Sequence, residues 1–266
     1  MQSTGRRHFL WGAAALVVTG ASSAEQARMV RPGDKQRGAL LDDLVTANRI
    51  LAAQNIVDGF GHISVRTAPG SPHFYISRSL APAQVTAADI MEFDLDGVAQ
   101  NNDTRAPYSE RFIHAGVYTA RPEVMSVVHC HTASLIPYGI TKIALRPVYH
   151  NSSFVGEGIP VWEIREAGGV TDMLVRNADL GKSLAATLGN KPAALLRGHG
   201  AVVVGNTIMD AVARSIYLDV NARIQTQALS LGGNIEYLSD QEVAKRATAD
   251  EYGRPWDQWK RQVAGQ

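Results

Sequence analysis

"PYSERFIHAGVYTARPEVMSVVHCHT", residues 107–132, reads as a helix, a break and a strand. The segment from Pro107 to Ala120 suits a helix, with proline at the start where its missing N–H is no loss. Arg121-Pro122 interrupts it, because a residue that precedes proline is pushed out of the helical region. Val124 to His131 is rich in β-branched and apolar residues and reads as a buried strand. Residues two apart on a strand share a face, so His129 and His131 point together and Cys130 points away. Cys130 then reads as a small buried hydrophobe and not as a ligand. Two imidazoles buried side by side lose hydrogen-bonding free energy unless something satisfies them; a metal ion or an ordinary structural partner would each do so.

Working outward, Glu110 falls in the first turn of the helix, where a carboxylate suits the positive end of the helix dipole. A helix–break–strand hairpin can return the end of the strand to the start of the helix, which brings Glu110 towards the histidines. A further histidine, His199, sits in "RGHG" (197–200) between apolar strand candidates at Ala193 to Leu196 and Ala201 to Val204. Its flanking glycines allow unusual dihedrals and close backbone approach. Three neutral histidines are a common ligand set for a divalent metal that keeps an open position for substrate. Taken singly, His199 reads equally as a turn histidine and Glu110 as a dipole residue.

The remaining elements alternate. Residues 36–54 carry apolar positions at helical spacing, including Leu40, Leu44 and Leu51. "DGFGHISVRT" (58–67) opens a strand after a Gly-rich turn, and "HFYISRS" (73–79) is another. "VTAADIMEFDLDG" (85–97) holds a helical start and a strand that ends at Asp96-Gly97. A short strand is expected over 159–163 and a helix over 177–190, stopped by Gly189-Asn190. A long helix is expected over 206–231, capped by Asn206 and stopped by Gly232-Gly233. Mixed strands and helices in one domain, 36–266, imply a layered α/β sandwich.

Composition narrows the function. With 266 residues, 45% of them hydrophobic, the chain can bury one large core. A net charge of +1 and no basic run in the body argue against nucleic acid as a partner. A single cysteine excludes an intrachain disulfide, and no apolar run reaches the length of a membrane span. "STGRRHFLWGAAALVVTGASSA" (3–24) has the layout of a secretory signal, and Arg6-Arg7 with Phe9-Leu10 resembles a twin-arginine signal; a disordered basic start with an apolar segment, or a retained anchor, is the alternative. Cleavage near Ala24, a flexible mature start over 25–35, a periplasmic location and no membrane contact after cleavage are the expectations. Export in the folded state would suit a protein that takes its metal in the cytoplasm.

Ser109-Glu110, His114, Tyr118, Arg121-Pro122 and the His129/His131 pair, continued by "RGHG" and the long helix, resemble the class II aldolase/adducin family over roughly residues 36 to 235. The resemblance implies a three-layer α/β/α sandwich around a mixed, largely antiparallel sheet. It implies His129, His131 and His199 as metal ligands and Glu110 as acid/base and further ligand. It also implies a small-molecule substrate and a homotetramer with active sites at its interfaces. Zinc and manganese both suit three histidines and a carboxylate. Two positions depart from the family's sugar-phosphate aldolases: His62 stands where a phosphate-binding Gly-Asn turn is expected, and Asn151 where a catalytic tyrosine is expected. "DGFGHISVR", "ISRSLAP" and "LRPVYH" look more like a branch of metal-dependent decarboxylases of ortho-hydroxy aromatic acids.

The activity expected is a metal-dependent carbon–carbon lyase. It would act by aldol cleavage or decarboxylation of a small, oxygen-chelating, non-phosphorylated substrate through a metal-stabilised enolate. Gly61, His62, Ser77, Arg78, Ser79 and Ser109 are the expected substrate contacts. Arg78 would meet a substrate carboxylate in fork geometry or stay a surface arginine. His62 would act as acid/base or carboxylate binder, or remain a turn histidine. A metal-free interaction module like the adducin head and a mononuclear iron oxygenase are the alternatives.

Overall fold

The structure, a computed structural model, describes residues 32–246 and 252–265. The export signal expected over 1–24, and the mature start as far as residue 31, lie outside them. The first helix, α1 (Pro32–Ala53), begins within the segment expected to be a flexible start, with proline in its first turn. Strands β1 (His62–Arg66), β2 (His73–Ser77) and β3 (Ile90–Asp94) follow as an antiparallel meander. Helix α2 (Arg111–Ala120) leads through the Arg121-Pro122 break into β4 (Ser126–Cys130). Then come α3 (Ile136–Ile140), β5 (Val161–Trp162), α4 (Ile164–Gly168) and α5 (Ala178–Leu188). Strands β6 (Ala193–Leu196) and β7 (Gly200–Gly205) precede the long α6 (Ile208–Leu231), then α7 (Asp240–Arg246) and α8 (Gly253–Val263).

The strands form one sheet in the order β3-β2-β1-β4-β7-β6-β5. Every pairing is antiparallel except β5 with β6. Alternation along the strands separates two cores. Ile63, Val65, Val128, Cys130 and Val203 pack with Leu44, Ile50, Val212, Trp256 and Trp259 from α1, α6 and α8. Phe74, Ile76, Val127, Val202 and Val204 pack on the other face with Ile113, Val117, Leu184 and Leu188 from α2 and α5. This is the expected three-layer α/β/α sandwich around a mixed, largely antiparallel sheet.

One local reading is corrected, and one helix goes beyond the reading. The cap of α6 is Thr207, whose hydroxyl accepts from the Asp210 N–H at 3.0 Å, and not Asn206. Amphipathic α8 carries no strong start or stop signal, yet it buries Trp256, Trp259 and Val263 in the core under α1 and α6.

Helices α2 and α5 meet backbone to backbone. A Cβ on Gly181 would overlap the Phe112 carbonyl, and one on Gly116 would overlap the carbonyl of Gly181. The pair of glycines therefore sets how closely α2, and the Glu110 turn before it, lies over the sheet. Gly181→Ala should destabilise the fold by ~1–3 kcal/mol through overpacking. Chemical denaturation checks this, and a stability equal to wild type would show that α5 can back away freely.

Candidate metal centre

Four side chains from separate parts of the chain converge at one end of the sheet. Helix α2 starts at Arg111, so Glu110 is its cap residue and not part of its first turn as expected. Its carboxylate makes no capping bond and is free to turn inward. Strand β4 brings His129 into register with His62 of β1 on one side and Val202 of β7 on the other. His131 lies just past the end of β4, and His199 sits in the turn between β6 and β7. That turn can approach only because Gly200 lacks a side chain: a Cβ there would overlap the Cys130 carbonyl.

The three Nε2 atoms face one another. His131 Nε2 is 3.0 Å from His129 Nε2 and 2.9 Å from His199 Nε2. Glu110 Oε2 lies 3.5 Å from His129 Nε2 and 3.7 Å from His199 Nε2. All four donor atoms fall within 4.8 Å of one another. His129 Nδ1 is 3.1 Å from the carbonyl of Ala201, which can only accept, so Nδ1 carries the proton and the Nε2 lone pair faces the cluster. Glu110 Oε1 accepts from the Val175 N–H at 2.9 Å, which fixes the carboxylate from the loop before α5.

Electrostatics suit ligation. Burial, helped by His129 and His131 and opposed by Glu110, lowers His199 to about 4. Burial is also the main cause that lowers His131. Both rings are therefore neutral at neutral pH, as metal ligands must be. Burial, the largest single influence on Glu110, would raise its carboxyl. His129, His199 and the Val175 N–H together outweigh it and hold the group at about 2. Tetrahedral donors about 2.0–2.1 Å from a divalent ion stand about 3.3 Å apart, close to the separations here. The donor set thus fits: the cluster could hold a divalent metal. Cys130 takes no part, since its thiol lies in the core on the opposite face, where burial raises its pKa.

A cavity of about 550 Å³ opens beside the cluster, with Glu110 and His131 in its wall. Of the expected substrate contacts, Gly61, His62, Ser79 and Ser109 line it. Ser77 and Arg78 do not. Ser77 Oγ donates to the Tyr108 hydroxyl at 3.4 Å. Arg78 Nε is drawn away to Asp89 at 2.7 Å, a carboxylate that also closes the turn after Thr86. Asn151 is fastened elsewhere, between the Tyr149 hydroxyl at 2.8 Å and Arg246 of α7 at 3.1 Å. Sequence reasoning missed the apolar wall, made by Phe60, Leu80, Tyr108 and Leu174. Tyr108 adjoins Ser109-Glu110 and was within reach; Leu174 arrives on a loop that carries no local signal. Among the described residues, no lysine or arginine lines it.

Residues 42–226 match the model of the Class II Aldolase and Adducin N-terminal domain. The chain belongs to the class II aldolase/adducin family. It is 34% identical over 244 residues to the decarboxylase tropJ of Talaromyces stipitatus, across 82% of this chain and 92% of that one. It is 31% identical over 212 residues to the 3,4-dihydroxyphthalate decarboxylase of a Terrabacter species, across 74% and 84%. Among solved structures, the L-fuculose 1-phosphate aldolase from Glaciozyma antarctica superposes with a TM-score of 0.71 over 88% of this chain and 91% of that one, at 23% identity. That last similarity is one of fold.

Protein purified without chelator should hold about one divalent ion per chain, as a site of three histidines and a carboxylate implies. His129→Ala and His199→Ala should each lose most of it, and Cys130→Ala should lose none. Elemental analysis decides, and full occupancy in both histidine variants would dismiss the cluster as the metal site.

Proposed function

We propose that this protein is a metal-dependent carbon–carbon lyase that decarboxylates a small aromatic acid bearing a hydroxyl next to the carboxylate. The observation that carries the reading is a cavity that opens on the His/Glu cluster, has aromatic walls and, among the described residues, contains no lysine or arginine. A sugar phosphate brings a dianion away from its chelating oxygens, and nothing in this wall would neutralise it. A flat hydroxy acid carries its charge where a divalent ion would sit and rests its ring on Tyr108, Phe60 and Leu174. The 31–34% identity to two proteins named decarboxylases supports the same choice over aldol cleavage.

Zinc or manganese would be held by His129, His131 and His199, and would supply Lewis-acid stabilisation of charge on two adjacent substrate oxygens. The chain's own residues do the rest. Glu110, ionised and fixed by the Val175 N–H, accepts the proton of the substrate hydroxyl on binding. The bond between ring carbon and carboxylate then breaks, CO2 leaves, and the electron pair stays with the ring carbon. Glu110 returns the proton to that carbon, and the apolar wall keeps bulk water from competing. His62 offers a ring nitrogen to a substrate oxygen. We further propose a homotetramer with sites at its interfaces, supported by Phe60, which is 69% exposed at the cavity mouth.

A screen of 2-hydroxybenzoates and dihydroxyphthalates should show CO2 release with some of them, and weak or no turnover of fuculose and ribulose phosphates. Glu110→Gln should keep its metal while kcat falls by ~10²–10⁴. Efficient phosphate-sugar cleavage, oxygen consumption with ring hydroxylation, or an active Gln variant would each defeat the proposal as stated.

We also propose export by the twin-arginine route, supported by Arg6-Arg7 and the apolar stretch after them. Replacing both arginines by lysine should leave the precursor in the cytoplasm, and N-terminal sequencing of the exported form should begin near Glu25. An exported protein that still begins at Met1 would contradict this.

A further inference from the structure

Behind His62 runs a buried chain of polar side chains that the metal cluster does not use. Alternation along β1 turns His62 and Ser64 to the face covered by α2. His114 and Tyr118 stand one turn apart on α2 and face them. His62 Nδ1 is 2.7 Å from His114 Nε2, His114 Nδ1 is 2.6 Å from Ser64 Oγ, and Ser64 Oγ is 2.7 Å from the Tyr118 hydroxyl. His62 is 3% exposed and the other three 1% or less. The ring of His62 also lies against Tyr108, with centroids 4.5 Å apart. Among the described residues nothing in the protein bonds to His62 Nε2, and the ring forms part of the cavity wall.

We infer that His114 is a positioning residue: through Ser64 and Tyr118 behind it, it fixes the ring plane of His62 and ties the tautomer of that ring to its own, so that His62 Nε2 meets a substrate oxygen beside the His/Glu cluster in one orientation. Both rings are enclosed, His62 at 3% and His114 at 0% exposure, where a charged imidazole would go unsolvated. Two neutral imidazoles at 2.7 Å must share one proton as donor and acceptor, so neither tautomer is free to choose. If His114 Nε2–H donates to His62, then Ser64 must donate to His114 Nδ1, Tyr118 donates to Ser64, and His62 carries its proton on Nε2. If His62 Nδ1–H donates, every bond in the chain reverses, Tyr118 turns to the Met125 carbonyl at 3.4 Å, and His62 Nε2 is a bare acceptor. In both senses the two rings carry their proton on the same-named nitrogen. A mobile imidazole would lose orientation on binding; this one is held in plane before substrate arrives, and its tautomer changes only if the whole chain reverses. What His62 touches rests on the proposed function; how it is held does not.

The test uses two readouts on zinc-loaded full-length protein labelled with nitrogen-15 histidine. Ring nitrogen spectra, with His62→Phe and His114→Phe to assign the signals, should show both rings neutral and in matching tautomers in the wild type. The ring nitrogen signals of His62 should shift in His114→Phe, because the partner that ties its tautomer is gone. The second readout is the dissociation constant of 2-hydroxybenzoate. His114→Phe should weaken it roughly threefold to tenfold, as loss of one hydrogen bond would. His114→Gln, whose amide still reaches His62, should restore most of that. The double variant His62→Phe/His114→Phe should bind no worse than His62→Phe alone. Mismatched tautomers in the wild type would overturn the inference, as would an unaltered His62 signal in His114→Phe or losses that add in the double variant. Should His114→Phe not fold, the wild-type spectra and the Gln variant still decide. A wild type that binds no 2-hydroxybenzoate, yet shows the linked tautomers, would overturn the substrate reading and leave the role of His114 standing.

Discussion

The antiparallel register of β4 between β1 and β7 is the constraint from which the site follows. It opposes His129 to His62 on one side and to Val202 on the other. A slip of one residue would exchange the faces of the whole strand, putting Cys130 where His129 now stands and sending the imidazole into the apolar core that Val128 now fills. The register is held by both cores at once, since Val127 and Val128 each fill a different one. Fold stability and ligand geometry therefore share the same contacts. The glycine after His199 belongs to this arrangement, because the turn into β7 crosses the end of β4 at a distance only a bare backbone allows.

Burial gives the cluster its chemistry. Imidazoles in water would be partly protonated near neutral pH, and a protonated ring cannot bind a cation. Placed at the end of the sheet, His131 and His199 are held neutral chiefly because their charged forms are poorly solvated. The same surroundings work the other way on Glu110, where nearby rings and a backbone N–H overcome the desolvation and keep a carboxylate. One buried pocket so keeps His131 and His199 neutral beside one anion. The thiol of Cys130, one residue from two of those donors, is excluded by strand alternation alone.

Two buried polar systems meet at His62. In front lie the cavity and the His/Glu cluster; behind lies the chain through His114, Ser64 and Tyr118. Beyond Tyr118, Arg66 packs its guanidinium over the ring at 4.7 Å and donates to the carbonyls of Val124 and Tyr118. This ties β1 to the far end of α2, while Glu110 stands before its near end. A shift of α2 over the sheet would alter both the carboxylate and the imidazole chain, so the close α2–α5 glycine contact has consequences well away from it.

Much of this was legible in the chain itself. Strand alternation placed His129 and His131 together and Cys130 apart, and the Arg121-Pro122 break made the hairpin that returns them to Glu110. The glycines around His199 announced a close approach, and the element order predicted the layered sandwich. These features are local: they depend on period, proline and glycine, which act over a few residues. Other features depended on partners distant in sequence. Arg78 looked available for a carboxylate until Asp89, brought alongside by the β2–β3 pairing, took its guanidinium. Leu174 entered the cavity wall on a loop, and α8 found a core to bury its tryptophans. His114 carried a family resemblance but no role until the face of α2 was set against β1. Period and turn chemistry decide which side a residue faces; only the packing of one element on another decides what it meets there.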